Sequence, residues 1–137
     1  MDIKDACKIA INQLEHCHNP YSKFSVGASL HATDGKVFGG CNIENASYGG
    51  TVCAERVAIF KAASEGYREF DYIVIATETK KPAPPCAFCL QVITEFCSGD
   101  FQIHLANRGG IVKSYRLDEP LPHPFDPSWL DADKEKA

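Results

Sequence analysis

Apolar side chains recur at Ile3, Cys7, Ala10, Leu14 and Cys17, the three- and four-residue steps of an amphipathic helix. Asn19-Pro20 ends it, because proline disfavours the helical conformation for the residue before it. The pattern then turns extended over Phe24 to Leu30 and Lys36 to Gly40, around Thr33-Asp34-Gly35, which predicts a hairpin. Thr51 to Ala63 returns to helix, with Ala54, Val57, Ala58 and Phe60 as its apolar positions and Gly66 beyond its end. Tyr72-Ile73-Val74-Ile75-Ala76 is an almost unbroken apolar run, the pattern of a strand covered on both faces. Lys80 to Pro85 carries three prolines and reads as a loop, and Cys86 to Phe96 as a helix with Pro85 at its start. Gln102 to Ala106 and Ile111 to Arg116 are expected to pair antiparallel across Asn107-Arg108-Gly109-Gly110. The order of elements predicts a layered α/β domain with a mixed sheet, one domain over residues 1–130. Asp131 to Ala137 is a charged stretch expected to fray.

Composition narrows the partners. The net charge of −4 disfavours a polynucleotide, whose binders gain much of their affinity from basic faces. Lys80-Lys81 reads as a solvated loop pair. No apolar run reaches the roughly 18–20 residues of a membrane span, and the acidic, amphipathic start at Met1-Asp2-Ile3-Lys4 does not read as a secretory signal. Seven cysteines, an odd number, suit a reducing cytoplasm, where they serve as buried thiols or metal ligands. Cys7 and Cys17 are expected in the core on the first helix, and Cys97 lacks a paired ligand motif.

Cys53-Ala54-Glu55 and Pro85-Cys86-Ala87-Phe88-Cys89 change the picture most. A structural zinc site closes with four protein ligands, whereas a catalytic one keeps three and leaves a position for water. Three cysteines and one acid match the open kind. The three thiols fall at predicted helix starts, where partial positive charge stabilises thiolates. Arg56 is placed to hydrogen-bond a ligand sulfur from behind. A lone Cys-x-x-Cys also serves redox or structural roles. The first would need no Cys53 or Glu55. The second needs a fourth ligand, for which His16, His18, His31, His104 and His123 have no ligand spacing.

Cys-x-Glu with Pro-Cys-x-x-Cys resembles the zinc deaminase signature, in which the Glu is general acid and base. Phe24-Ser25-Val26-Gly27-Ala28, Cys41-Asn42-Ile43-Glu44-Asn45-Ala46-Ser47-Tyr48 and Cys53-Ala54-Glu55-Arg56 extend the likeness to the small homotetrameric cytidine deaminases. The resemblance implies a three-layer α/β/α domain with about five strands. It implies hydrolytic deamination of cytidine and deoxycytidine in pyrimidine salvage, and a homotetramer sharing its sites between subunits. By position, Cys53, Cys86 and Cys89 would bind Zn²⁺ and Glu55 would shuttle protons. Asn42 and Glu44 would hold the ribose hydroxyls, and Phe24 and Ala54 would line the nucleoside site. Tyr48 would reach a neighbouring subunit's pocket, and Phe125 would cover the base.

The family usually reads Pro-Cys-Gly-x-Cys-Arg-Gln at the second motif, where this chain has Ala87, Phe88 and Leu90. That departure keeps open a deaminase of a related aminopyrimidine nucleoside or nucleoside antibiotic; a non-catalytic zinc-binding member is the other alternative, against which the intact Glu55 argues.

Overall fold

The computed structural model describes residues 2–130, so the charged tail lies outside the described residues. Its helices are α1 (Ile3–Gln13), α2 (Ala54–Ser64) and α3 (Ala87–Phe96). Its strands are β1 (Val26–Ala32), β2 (Val37–Cys41), β3 (Phe70–Thr77), β4 (Gln102–Asn107) and β5 (Gly110–Arg116). The strands form one sheet in the order β2-β1-β3-β4-β5. Only the β3–β4 pair is parallel, with α3 as its crossover, so the sheet is mixed as expected.

Period-two alternation sorts the side chains to the two faces. Leu30, Ile73, Ile75, Ile103 and Leu105 face α2 and α3, joining Ala58, Ile59, Ala62, Leu90 and Ile93 in the larger core. Val74, Ala76 and Ala106 face the other way, onto Ala6, Cys7 and Ala10 of α1. The three layers are therefore α1, the sheet, and the α2–α3 pair. Ile73 has no accessible surface and Ile75 only 1%, each such side chain contributing about 1.5–3 kcal/mol of burial.

Two glycines let helices sit unusually close to the sheet. A Cβ on Gly27 would lie 2.0 Å from the Ala10 carbonyl oxygen of α1. One on Gly40 would lie 2.4 Å from the Ala54 carbonyl oxygen and 2.7 Å from the Ala58 nitrogen of α2. The second approach matters for function, because Ala54 opens the helix that carries Glu55.

The element boundaries depart from the local pattern for identifiable reasons. α1 stops at Gln13 and tightens into a 3₁₀ turn over Leu14–His16, so Cys17 lies beyond the helix. Cys17 is half-buried, with its thiol directed at the Val26 carbonyl 3.4 Å away. Phe24 and Ser25 precede β1 instead of opening it. The segment leading into them turns through Lys23, whose φ of 56° is left-handed. α2 starts at Ala54, three residues later than its apolar pattern suggests, because Val52 is committed to a two-way backbone bridge with Ile43.

Candidate metal and deaminase site

Cys53 and Cys86 occupy equivalent positions: each is the N-cap of its helix, extended at φ −69° and −74°. Each carbonyl accepts the first intrahelical bond, from Val57 and Leu90 respectively. An N-cap side chain usually accepts a hydrogen bond from the first-turn N–H groups, but neither thiol does so. Both sulfurs turn away from their own helices and towards each other. Cys89 sits in the first turn of α3 and is fully buried.

The resulting distances have a meaning. Sγ of Cys53 lies 3.9 Å from that of Cys86, which lies 3.6 Å from that of Cys89, and all three fall within 4.8 Å of one another. A disulfide would need about 2.05 Å, and all three cysteines are free. Tetrahedral zinc with Zn–S bonds of about 2.3 Å holds its sulfurs about 3.8 Å apart. The donor set therefore fits zinc in type, number and spacing, with three protein ligands and the fourth position left over.

Local surroundings favour a thiolate at Cys53. The Cys53 thiol is lowered to about 5, first by its hydrogen bond with Cys89 and also by Arg56. The Cys89 thiol moves the opposite way, raised by the same hydrogen bond and by burial, so the pair shares its proton unequally. Arg56 reaches back from the first turn of α2: its Nη2 donates to Cys53 Sγ and to the Thr51 carbonyl, both at 3.4 Å. The N-terminal ends of α2 and α3 add partial positive charge to the same place.

Glu55 follows the Cys53 cap by two residues and is 4% exposed. Burial, reinforced by the charge on Cys53, pushes its carboxyl up to about 7. A carboxyl poised near neutrality both accepts and returns a proton, the property wanted of a general acid and base.

The expected substrate residues fall into distinct groups. Asn42 is buried and bridges backbone: its Oδ1 accepts from Val26 N–H at 2.9 Å, and its Nδ2 donates to the Phe24 carbonyl at 2.8 Å. Glu44 holds the turn before Phe24, with Oε1 accepting from Tyr21 N–H at 3.0 Å and Ser22 N–H at 3.1 Å, and Oε2 accepting from the Ser22 hydroxyl. These bonds, the Ser22 hydroxyl first, lower its pKa. Glu44, Tyr48, Tyr21, Ser22 and Thr51 line a cavity of about 370 Å³. Tyr48 meets Tyr21 edge-on at 5.9 Å and is 76% exposed. Ala54 has no accessible surface. Phe125 is exposed, and its carbonyl accepts from Gln91 Nε2 of α3 at 2.7 Å.

Sequence reasoning missed Ser22, which ties Glu44 in place. The Ser-x-Phe spacing to Phe24 was its only signal. Cys97 is half-buried beside the larger core, outside the thiol cluster, and burial pushes its thiol up to about 12. His31 and His104 flank Tyr72 on the sheet, with His31 Nδ1 3.1 Å from Asp71 and His104 Nδ1 2.6 Å from Ser114.

Residues 1–105 match the family model described as the cytidine and deoxycytidylate deaminase zinc-binding region. A cytidine deaminase from Halalkalibacterium halodurans is 47% identical over 91% of this chain and 95% of its own length. One from Sporosarcina psychrophila is 42% identical over 91% of this chain and 92% of its own. The crystal structure of cytidine deaminase from Burkholderia pseudomallei superposes with a TM-score of 0.87 at 42% identity, covering 91% of this chain and all of that one. With its three thiols, buried acid and mixed five-stranded sheet, the chain belongs to the cytidine and deoxycytidylate deaminase family.

Proposed function

We infer that this protein hydrolyses cytidine and deoxycytidine to uridine and deoxyuridine, releasing ammonia, with zinc held by Cys53, Cys86 and Cys89. The observation that carries the reading is the buried Glu55 carboxyl set two residues from one of three thiols spaced for a single zinc ion. Zinc bound there supplies Lewis acidity, which brings a coordinated water towards a pKa near 7.

Glu55 performs the proton work. Its carboxylate accepts a proton from the attacking water and delivers it to ring N3 as the C4–O bond forms. It then takes the remaining proton from the C4 hydroxyl and passes it to the exocyclic amine, which leaves as ammonia as the C4–N bond breaks and the C4 carbonyl forms. Burial keeps the carboxyl basic enough for the first transfer and acidic enough for the second. Arg56 offsets part of the negative charge of three thiolates on a divalent ion.

Asn42 and Glu44 position the ribose, and Phe24 packs against the nucleoside. The internal bonds that Asn42 and Glu44 already make leave each with a free lone pair or N–H for a sugar hydroxyl. The chain assembles as a homotetramer in which Tyr48 and Phe125 complete neighbouring sites. Their exposure supports this, as does an apolar cavity lined by Ile43, Val52, Val57 and Phe60. Activity on free nucleosides and seven reduced thiols suit pyrimidine salvage in the cytoplasm.

The test is the ultraviolet change on converting cytidine to uridine, run with zinc analysis on wild type and Glu55→Gln. Wild type should turn over both nucleosides. The variant should hold zinc while losing at least about 10²-fold in kcat. Substantial turnover by the zinc-loaded variant would remove Glu55 from the proton path.

A further inference from the structure

Phe88 is a large apolar side chain with no burial to explain it. It follows the Cys86 cap by two residues, lies between two thiols of the cluster, and is 73% exposed. The core does not use it. Its ring instead lies against Arg56, whose guanidinium carbon is 5.9 Å from the ring centroid, within cation–π range.

Arg56 needs such a neighbour. Its two hydrogen bonds, to Cys53 Sγ and the Thr51 carbonyl, both leave from Nη2 and both are long at 3.4 Å. Its Nε is buried without a partner. Two long bonds from one nitrogen fix a point of the guanidinium but not its plane. The Phe88 ring adds a further contact to the guanidinium, from the side of α3. The contact also joins α3 to α2 across the thiol cluster, the two elements that must stay in register for the three sulfurs to meet.

We propose that Phe88 is a positioning residue that holds Arg56 on the Cys53 sulfur and thereby slows loss of zinc from the site. The proposal rests on Cys53, Cys86 and Cys89 being the zinc ligands. It assigns a purpose to the exposed aromatic residue between two of them.

The experiment follows zinc release from the loaded protein into excess chromophoric chelator, a readout independent of turnover. Phe88→Leu keeps apolar cover and removes the aromatic face. It should release zinc about two- to fivefold faster, the range for a partly exposed cation–π pair. Phe88→Trp should release it no faster than wild type. In an Arg56→Gln background, Phe88→Leu should produce no further acceleration, because the partner is gone. Wild-type release by Phe88→Leu, or the same acceleration in both backgrounds, overturns the proposal and leaves the metal site standing. Wild-type protein that neither contains nor takes up zinc overturns the ligand assignment and this proposal together.

Discussion

Gly40→Ala puts one methyl group between β2 and the helix that carries Glu55. The new Cβ would meet the Ala54 carbonyl oxygen at 2.4 Å and the Ala58 nitrogen at 2.7 Å, both backbone atoms that no rotamer change can move. Ordinary contact begins near 3.4 Å, so the start of α2 must retreat by about 1 Å, taking Cys53 and Glu55 with it. Cys86 and Cys89 ride on α3 and stay. A metal site tolerates only about 0.2 Å in its ligand distances, and a 1 Å misplacement of catalytic groups costs on the order of 10²-fold. Overpacking of this kind costs about 1–3 kcal/mol, which lowers Tm by roughly 4–12 °C in a domain of this size. The variant should therefore fold, lose much of its zinc, and drop about 10²-fold in kcat/KM. The matched comparison is Gly27→Ala, whose Cβ meets α1 at 2.0 Å on the opposite face. It should lose at least as much stability while keeping zinc and specific activity. Circular-dichroism melting, zinc analysis and the cytidine assay on both variants decide the matter. Full zinc content and wild-type kcat/KM in folded Gly40→Ala would refute the claim that this close approach sets the site.

Cys89→Ser should abolish stoichiometric zinc binding and activity together, since it removes the fully buried thiol of the cluster; metal analysis and turnover measure both. Asn42→Ala should destabilise the fold by about 1–3 kcal/mol, because Val26 N–H and the Phe24 carbonyl lose their buried partner. The same variant should raise KM, and chemical denaturation with steady-state kinetics separates the two effects. Ser22→Ala frees Glu44 from its hydroxyl donor and should raise KM several-fold with a smaller change in kcat. Incubation with a strong chelator should eliminate activity and lower Tm, and added zinc should restore both, because metal that binds only the folded state stabilises it.

Much of the fold was legible from local pattern because periodicity is a local property. The unbroken run Tyr72–Ala76 became the central strand β3, and the 3.6-residue stripes became helices within a few residues of their predicted ends. The errors occurred where a distant partner overrode local preference. Val52 pairs with Ile43 and delays α2, while the turn through Lys23, anchored by Glu44, delays β1. Asn42 and Glu44 had no signal of their own in composition or spacing, because their bonds run to residues 16 to 23 positions away.

The sequence alone determined the chemical inventory: three thiols, one acid and one arginine, with Cys53 and Cys86 each immediately before a helix and therefore at a positive end of one. Helix capping and ligand type follow from neighbours along the chain. Only the tertiary structure decided that these groups meet. The order β2-β1-β3-β4-β5 lays α2 beside α3 on one face, and Gly40 lets α2 settle against β2, so sulfurs 33 residues apart come within 3.9 Å. The same packing buried Glu55 and raised its pKa, a property of surroundings that no residue carries by itself.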